Sequence, residues 1–138
     1  MPPFHLAFPV LNIEDTRKFY ADLLGCVVGR EAEKWIDFNF FGHQISAHVK
    51  PEQCTEVATN SVDGDNVPVR HFGAVLDWSD WEALKEKIAA SNVDFLIKPR
   101  IRFEGDAGEQ GIFFLSDPSG NVMEFKTFKN MDRLFDAS

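Results

Sequence analysis

The chain repeats itself weakly, and that repeat restricts the available folds more than any other feature. The segment opening Phe4-His5-Leu6-Ala7-Phe8 corresponds to one opening His71-Phe72-Gly73-Ala74-Val75, and each leads from a strand into a helix. In the first half Phe19, Leu23 and Leu24 recur at helical spacing within Glu14 to Leu24, with Asn12 as the cap and Gly25 as the residue that ends the helix. In the second, Ser79 is the expected cap of a helix reaching about Ala90, with Trp81, Leu84, Ile88 and Ala89 on one stripe. Strand-like stretches follow each helix: Cys26 to Arg30, Lys34 to Phe40 and Gln44 to Val49, then Asp94 to Ile97, Gly111 to Leu115 and Asn121 to Phe128. Phe41-Gly42-His43 and Asp117-Pro118-Ser119-Gly120 are the turns before the two last strands. Both halves read β-α-β-β-β, so the expected fold class is α+β. Module 1 spans about residues 1–50, a linker 51–69, module 2 about 70–128 and a tail 129–138. The linker is polar, includes Gly64 and Pro68, and is expected to hold no element of its own. Pro99 to Gln110 reads as an exposed loop, with a lid as the alternative.

With 138 residues, 44% of them hydrophobic and 14 of them Phe, one domain can bury a sizeable core. The two cysteines, Cys26 and Cys54, match no metal or redox spacing and are expected to pack as small hydrophobes. A net charge of −8 opposes binding to nucleic acid, whose phosphates demand a basic surface. No stretch approaches the roughly 18 apolar residues of a membrane span, and the first residues lack a secretory pattern, so the cytoplasm is the expected compartment.

Alternation along strands assigns each candidate functional residue to a face. Phe4, Leu6, Phe8 and Val10 form the helix-facing set of the first strand and leave His5, Ala7 and Pro9 opposite. Phe72, Ala74 and Leu76 do the same in the second module, leaving His71, Gly73 and Val75 opposite. Ala7 and Gly73 are small and are expected to leave open space beside each imidazole. In the last strands, Ile45, Ala47 and Val49 alternate with Gln44, Ser46 and His48, and Met123 and Phe125 alternate with Glu124 and Lys126. His5, His48, His71 and Glu124 thus share the face away from the helices, whereas His43 falls in a turn and is expected to be solvated. A lone strand histidine is ordinarily a hydrogen-bonded structural residue. A carboxylate within Val-Met-Glu-Phe, however, needs a cation or an arginine if it is to be buried, and clustered His and Glu are the donor set of a divalent metal.

These residues, with Asp117-Pro118-Ser119-Gly120-Asn121 leading into Val122-Met123-Glu124-Phe125 and with Phe19-Tyr20 and Leu24-Gly25 in the first helix, resemble the vicinal oxygen chelate superfamily of glyoxalases, bleomycin resistance proteins and extradiol dioxygenases. The resemblance covers nearly the whole chain. It implies two tandem βαβββ modules curved into a half-open mixed β-barrel with helices outside, and one divalent ion (Fe, Ni, Mn or Zn) held by His5, His71 and Glu124. The family's fourth position falls on or near His48, which the resemblance casts as a further ligand, a proton carrier or a pocket residue; Glu124 is the second candidate for proton transfer. The implied function is a metal-dependent lyase or isomerase acting on a small molecule with vicinal oxygens.

Two rival readings follow from the same resemblance. Two histidines and a carboxylate also form the triad of non-haem Fe(II) extradiol dioxygenases, but Phe114 stands where those enzymes carry a tyrosine about ten residues before the glutamate. The other is a non-catalytic drug-binding protein of the bleomycin-resistance type, whose members generally lack the triad. Phe38, Phe40, Phe113 and Trp35 are expected mainly in the core. Recognition of a glutathione adduct would want a basic pocket, for which Arg70, Arg100 and Arg102 are available without being diagnostic, and the family resemblance implies a homodimer.

Overall fold

A computed structural model describes residues 1–55, 59–62 and 65–137; Gly64 of the linker and Ser138 of the tail lie outside them. The chain divides into two compact units, Met1–Thr59 with Ser116–Asn121, and Asn60–Leu115 with Val122–Ser138.

The first unit contains β1 (His5–Val10), α1 (Ile13–Arg17), β2 (Val27–Ala32), β3 (Trp35–Phe40) and β4 (His43–Val49), in the sheet order β1-β4-β3-β2. β1 runs parallel to β4, and the other two pairs are antiparallel. Asn12 caps α1, its Oδ1 accepting from the Asp15 amide at 2.8 Å while the Thr16 hydroxyl donates to the Asn12 carbonyl at 2.6 Å. The helix then loosens into a π-helical segment, Lys18–Leu23, and Gly25 turns the chain at φ 77°, a conformation that costs glycine nothing. Val10, Tyr20, Ile36, Phe38 and Ala47 are almost completely buried, as the alternation requires, while Phe4 is 64% exposed and lies outside the apolar set expected for it.

The segment expected as an elementless linker contains a 3-10 turn (Pro51–Gln53) and two short paired strands, β5 (Thr59–Val62) and β6 (Asp65–Pro68). Thr59 to Val62 is too polar to announce itself as a strand, and main-chain pairing does not depend on side-chain hydropathy.

The second unit repeats the first: β7 (Phe72–Val75), α2 (Trp78–Ala89), β8 (Ile97–Arg102), β9 (Gln110–Ser116) and β10 (Val122–Phe128), in the order β7-β10-β9-β8 with β7 parallel to β10. The cap position of α2 is Asp77 rather than Ser79, with the Trp81 amide donating to the Asp77 carbonyl at 2.9 Å. Trp81, Leu84 and Ile88 are buried, but Ala89 faces solvent. Trp81 fixes the helix to the sheet: fully buried, it donates from Nε1 to the Phe125 carbonyl at 3.0 Å and stacks 5.6 Å from Phe113. Gly111 makes room for it, since a Cβ there would lie 2.9 Å from two atoms of the indole.

β8 departs most from expectation. It occupies Ile97–Arg102 rather than Asp94 to Ile97, so the first third of the expected loop is strand, and Pro99 is accommodated where the register shifts between Ile97 and Arg100. A bulge tolerates the amide that proline lacks, which an uninterrupted ladder does not. Among the described residues no helix is long and apolar enough to cross a membrane.

Candidate metal centre

β7 and β10 lie side by side, with Glu124 opposite Gly73 and Met123 opposite Phe72. A Cβ on Gly73 would overlap the Glu124 carbonyl oxygen. Gly73 is therefore small to allow close strand approach, not to clear space beside His71 as the sequence suggests. That approach brings His71 and Glu124 together: Nε2 and Oε1 are 3.5 Å apart, with the side chains 27% and 19% exposed. The other ring nitrogen, Nδ1, lies 2.7 Å from the Pro68 carbonyl oxygen at the end of β6. A carbonyl only accepts, so Nδ1 carries a proton, and in the neutral ring the Nε2 lone pair faces a carboxylate oxygen. Two lone pairs facing one another call for a cation between them, either a second proton or a metal ion. Donor atoms each about 2.1 Å from a shared ion stand about 2.9–3.4 Å apart, so this pair fits two ligand positions with a small adjustment.

Phe114 packs edge-on against His71 with ring centres 5.1 Å apart, which holds the imidazole from the side. Around the pair is a pocket of about 170 Å³, walled by Ile97, Ile112 and Phe114 and rimmed by Arg100 and Asp65, which form an ion pair. Among the described residues, no three His, Cys, Asp or Glu side chains gather at one point.

In the first unit His5 has the same tautomer by a different route. Its Nδ1 lies 2.8 Å from Gln44 Oε1, its neighbour across β4, leaving Nε2 unprotonated and the residue exposed. His48 is also exposed, opposite Pro9 on one side and Trp35 on the other. Because Ala7 pairs with Ser46 and its counterpart Gly73 pairs with Glu124, the register puts Ser46, not His48, at the level of Glu124. Ser46 is buried and donates to Asp37 at 2.6 Å. His43 is not a solvated turn residue: it begins β4, and its Nδ1 accepts the Phe4 amide proton at 2.8 Å. Phe38, Phe40 and Phe113 are core residues.

The turn Ser116–Asn121 belongs to the first unit. Buried Asp117 accepts from the Ser119 and Asn121 amides at 2.8 and 2.9 Å, the Asn121 side chain at 2.9 Å and the Tyr20 hydroxyl at 2.8 Å. Burial pushes the Asp117 carboxyl above the ordinary carboxylate range, with the bonds from Asn121 and Tyr20 opposing the rise. Burial, together with the neighbouring Asp117, pushes the Tyr20 hydroxyl well up. Asp117 and Tyr20 are thus a clamp, and the sequence pattern D-P-x-G-N is at this end a structural device.

The model of the Glyoxalase/Bleomycin resistance protein/Dioxygenase superfamily matches residues 3–125. The chain belongs to that superfamily. A protein of the same superfamily from Alicyclobacillus acidocaldarius is 30% identical, with 97% of this chain and 96% of that one covered and a TM-score of 0.75. The fosfomycin resistance protein FosX from Listeria monocytogenes shares the fold at 16% identity, covering 96% of each chain with a TM-score of 0.70. A family protein of Bacillus anthracis described as a putative glyoxalase is 20% identical, covering 94% of this chain and 96% of that one at a TM-score of 0.63. A search of curated proteins gave no match. Membership accounts for the paired β-α-β-β-β units. Pro68 and Gln44 carry no recognisable signal in the sequence, since each acts through a neighbour that only folding supplies.

Proposed function

We propose that this superfamily member is a divalent-metal-dependent enzyme of the lyase or isomerase type, with His5, His71 and Glu124 as protein ligands and a small substrate with vicinal oxygens. The supporting observation is the facing pair of His71 Nε2 and Glu124 Oε1, with the other nitrogen of His71 committed to the Pro68 carbonyl. His5 offers the same unprotonated Nε2, with Gln44 holding its Nδ1. The set of two imidazoles and one carboxylate suits Fe(II), Ni(II), Mn(II) or Zn(II). When bound, such an ion supplies Lewis acidity to adjacent substrate oxygens.

The remaining steps belong to the chain. Phe114, Ile97 and Ile112 exclude water around the pair, and the Pro68 carbonyl fixes the His71 tautomer. His48, exposed on the open face of the first sheet, is the proposed proton carrier, and Glu124 the second candidate. Phe114 in place of a tyrosine removes a hydrogen-bond donor that ring-cleaving dioxygenases use, which favours lyase or isomerase chemistry. We propose a homodimer as the working assembly.

Metal analysis of protein purified without chelator tests the reading. About one equivalent of a divalent ion is expected, with melting temperature raised by adding Fe(II), Ni(II), Mn(II) or Zn(II). His71→Ala and Glu124→Gln should each lower metal affinity at least tenfold; His48→Ala should retain the metal and lose turnover. No cation in any preparation and no shift in melting temperature would sink it, and oxygen uptake with a catechol panel would move the assignment to the dioxygenases.

A further inference from the structure

We propose that the first unit carries a binding site of its own for a free α-amino acid, taken up as the zwitterion. Arg30 receives the carboxylate and Asp37 the ammonium. No metal ion takes part, so the site stands or falls apart from the metal reading.

A bulge in β2 creates the pair. Val28 pairs with Phe38 and Glu31 with Ile36, so Gly29 and Arg30 together oppose the single residue Asp37. Such a bulge re-aims side chains, and here Arg30 and Asp37 line one cavity of about 330 Å³ whose walls all belong to the first unit. Gly29 keeps the carboxylate open: a Cβ there would already stand 3.5 Å from the Asp37 Cβ, so a longer side chain would crowd it.

Although they share a cavity, Arg30 and Asp37 do not pair, and among the described residues neither has an opposite charge as its partner. The nearby carboxylate of Glu31 is engaged by Arg17. The Arg30 guanidinium lies over the Trp35 ring, 5.7 Å from its centre, and keeps its N–H groups for a carboxylate, which it can grip in two parallel bonds. Half-buried Asp37 accepts only the neutral hydroxyl of buried Ser46 at 2.6 Å, so its charge is oriented but not neutralised. Two further lining residues are likewise held at one atom and free at another. Asn39 Oδ1 accepts the Gly42 amide at 2.8 Å and leaves its NH2 group to donate. His43 Nδ1 accepts the Phe4 amide at 2.8 Å, so the neutral ring carries its proton on Nε2. One cation and one anion, about a strand spacing of ~4.8 Å apart, suit a ligand with both opposite charges on one carbon. The neighbouring N–H donors suit a side chain that ends in a carbonyl.

Calorimetric titration with L-glutamine and three analogues tests the site. N-acetyl-L-glutamine lacks the ammonium, L-glutaminamide lacks the carboxylate, and 4-aminobutanoate holds the two charges farther apart. L-glutamine should bind about tenfold more tightly than each, the size expected of one charge-assisted contact. Arg30→Gln should remove the advantage over L-glutaminamide and keep that over N-acetyl-L-glutamine, and Asp37→Asn should do the reverse. Arg30 is exposed, so its replacement decides the matter even where Asp37→Asn disturbs the sheet. No saturable binding up to about 10 mM L-glutamine, equal affinities for the four ligands, or an advantage over L-glutaminamide that survives Arg30→Gln would overturn the site. Chelator-treated protein should give the same contrasts, so a failure to bind metal counts against the metal reading alone.

Discussion

At matching registers the two sheets carry different side chains. Gln44 in the first stands where the second has Val122, Ser46 where it has Glu124, and His48 where it has Lys126. In the first sheet the polar groups satisfy one another: Gln44 orients His5, and Ser46 binds Asp37. In the second, no side chain of β10 can serve His71 as Gln44 serves His5, so its Nδ1 turns to a main-chain carbonyl and its Nε2 is left facing a carboxylate. The repeat supplies two copies of one backbone arrangement. In the second copy the facing pair of His71 and Glu124 is the arrangement that gains from a shared cation.

The largest effect should come from giving the second unit the residue of the first. Gly73→Ala places a methyl against the Glu124 carbonyl and should cost on the order of 3 kcal/mol or more, read as a drop in urea midpoint, whereas Ala7→Gly should cost about 1 kcal/mol. Comparable losses at the two sites would mean that the close approach is not specific to the second unit. Next comes the clamp of the first unit: Tyr20→Phe leaves a buried carboxylate short of one donor and should destabilise by about 2 kcal/mol.

The clamp also predicts a pH dependence. Burial raises the Asp117 carboxyl in the folded state, so its contribution is present at low pH and is lost as pH rises through the folded value. Relative to Asp117→Asn, which does not titrate, the wild type should therefore lose stability in urea titrations as pH rises above the ordinary carboxylate range; parallel curves would contradict this. The smallest effect should follow Thr127→Val. Thr127 Oγ1 is buried without a partner among the described residues, and its counterpart in the first sheet is Val49. The exchange should be neutral or stabilising by up to about 1 kcal/mol in thermal denaturation. A clear loss would reveal a partner for that hydroxyl.

Much of this arrangement was legible before folding. Period-two alternation put His5, His71 and Glu124 on the faces away from the helices, because a strand's geometry leaves no third choice. Asn12 and Gly25 were readable as helix ends for similar local reasons. β8 was not: Pro99 and the charged Arg100 and Arg102 look like loop, and only pairing with β9 across a bulge makes them strand. The start of α2 is not legible either, because Asp77 and Ser79 are equally good capping residues by type, and packing of Trp81 accompanies a helix that begins at Trp78.

By itself, the sequence determined the duplicated β-α-β-β-β order, the apolar faces and the identity of the three proposed ligands, all of which depend on short-range geometry and residue type. Only the tertiary structure decided that Pro68 holds Nδ1 of His71, that Ser46 rather than His48 takes the register position in the first sheet that Glu124 takes in the second, and that Arg102 and Lys126 border the same cavity. Those are facts of strand register between residues far apart in the chain. Register is set by the whole packed sheet, so no local pattern encodes it.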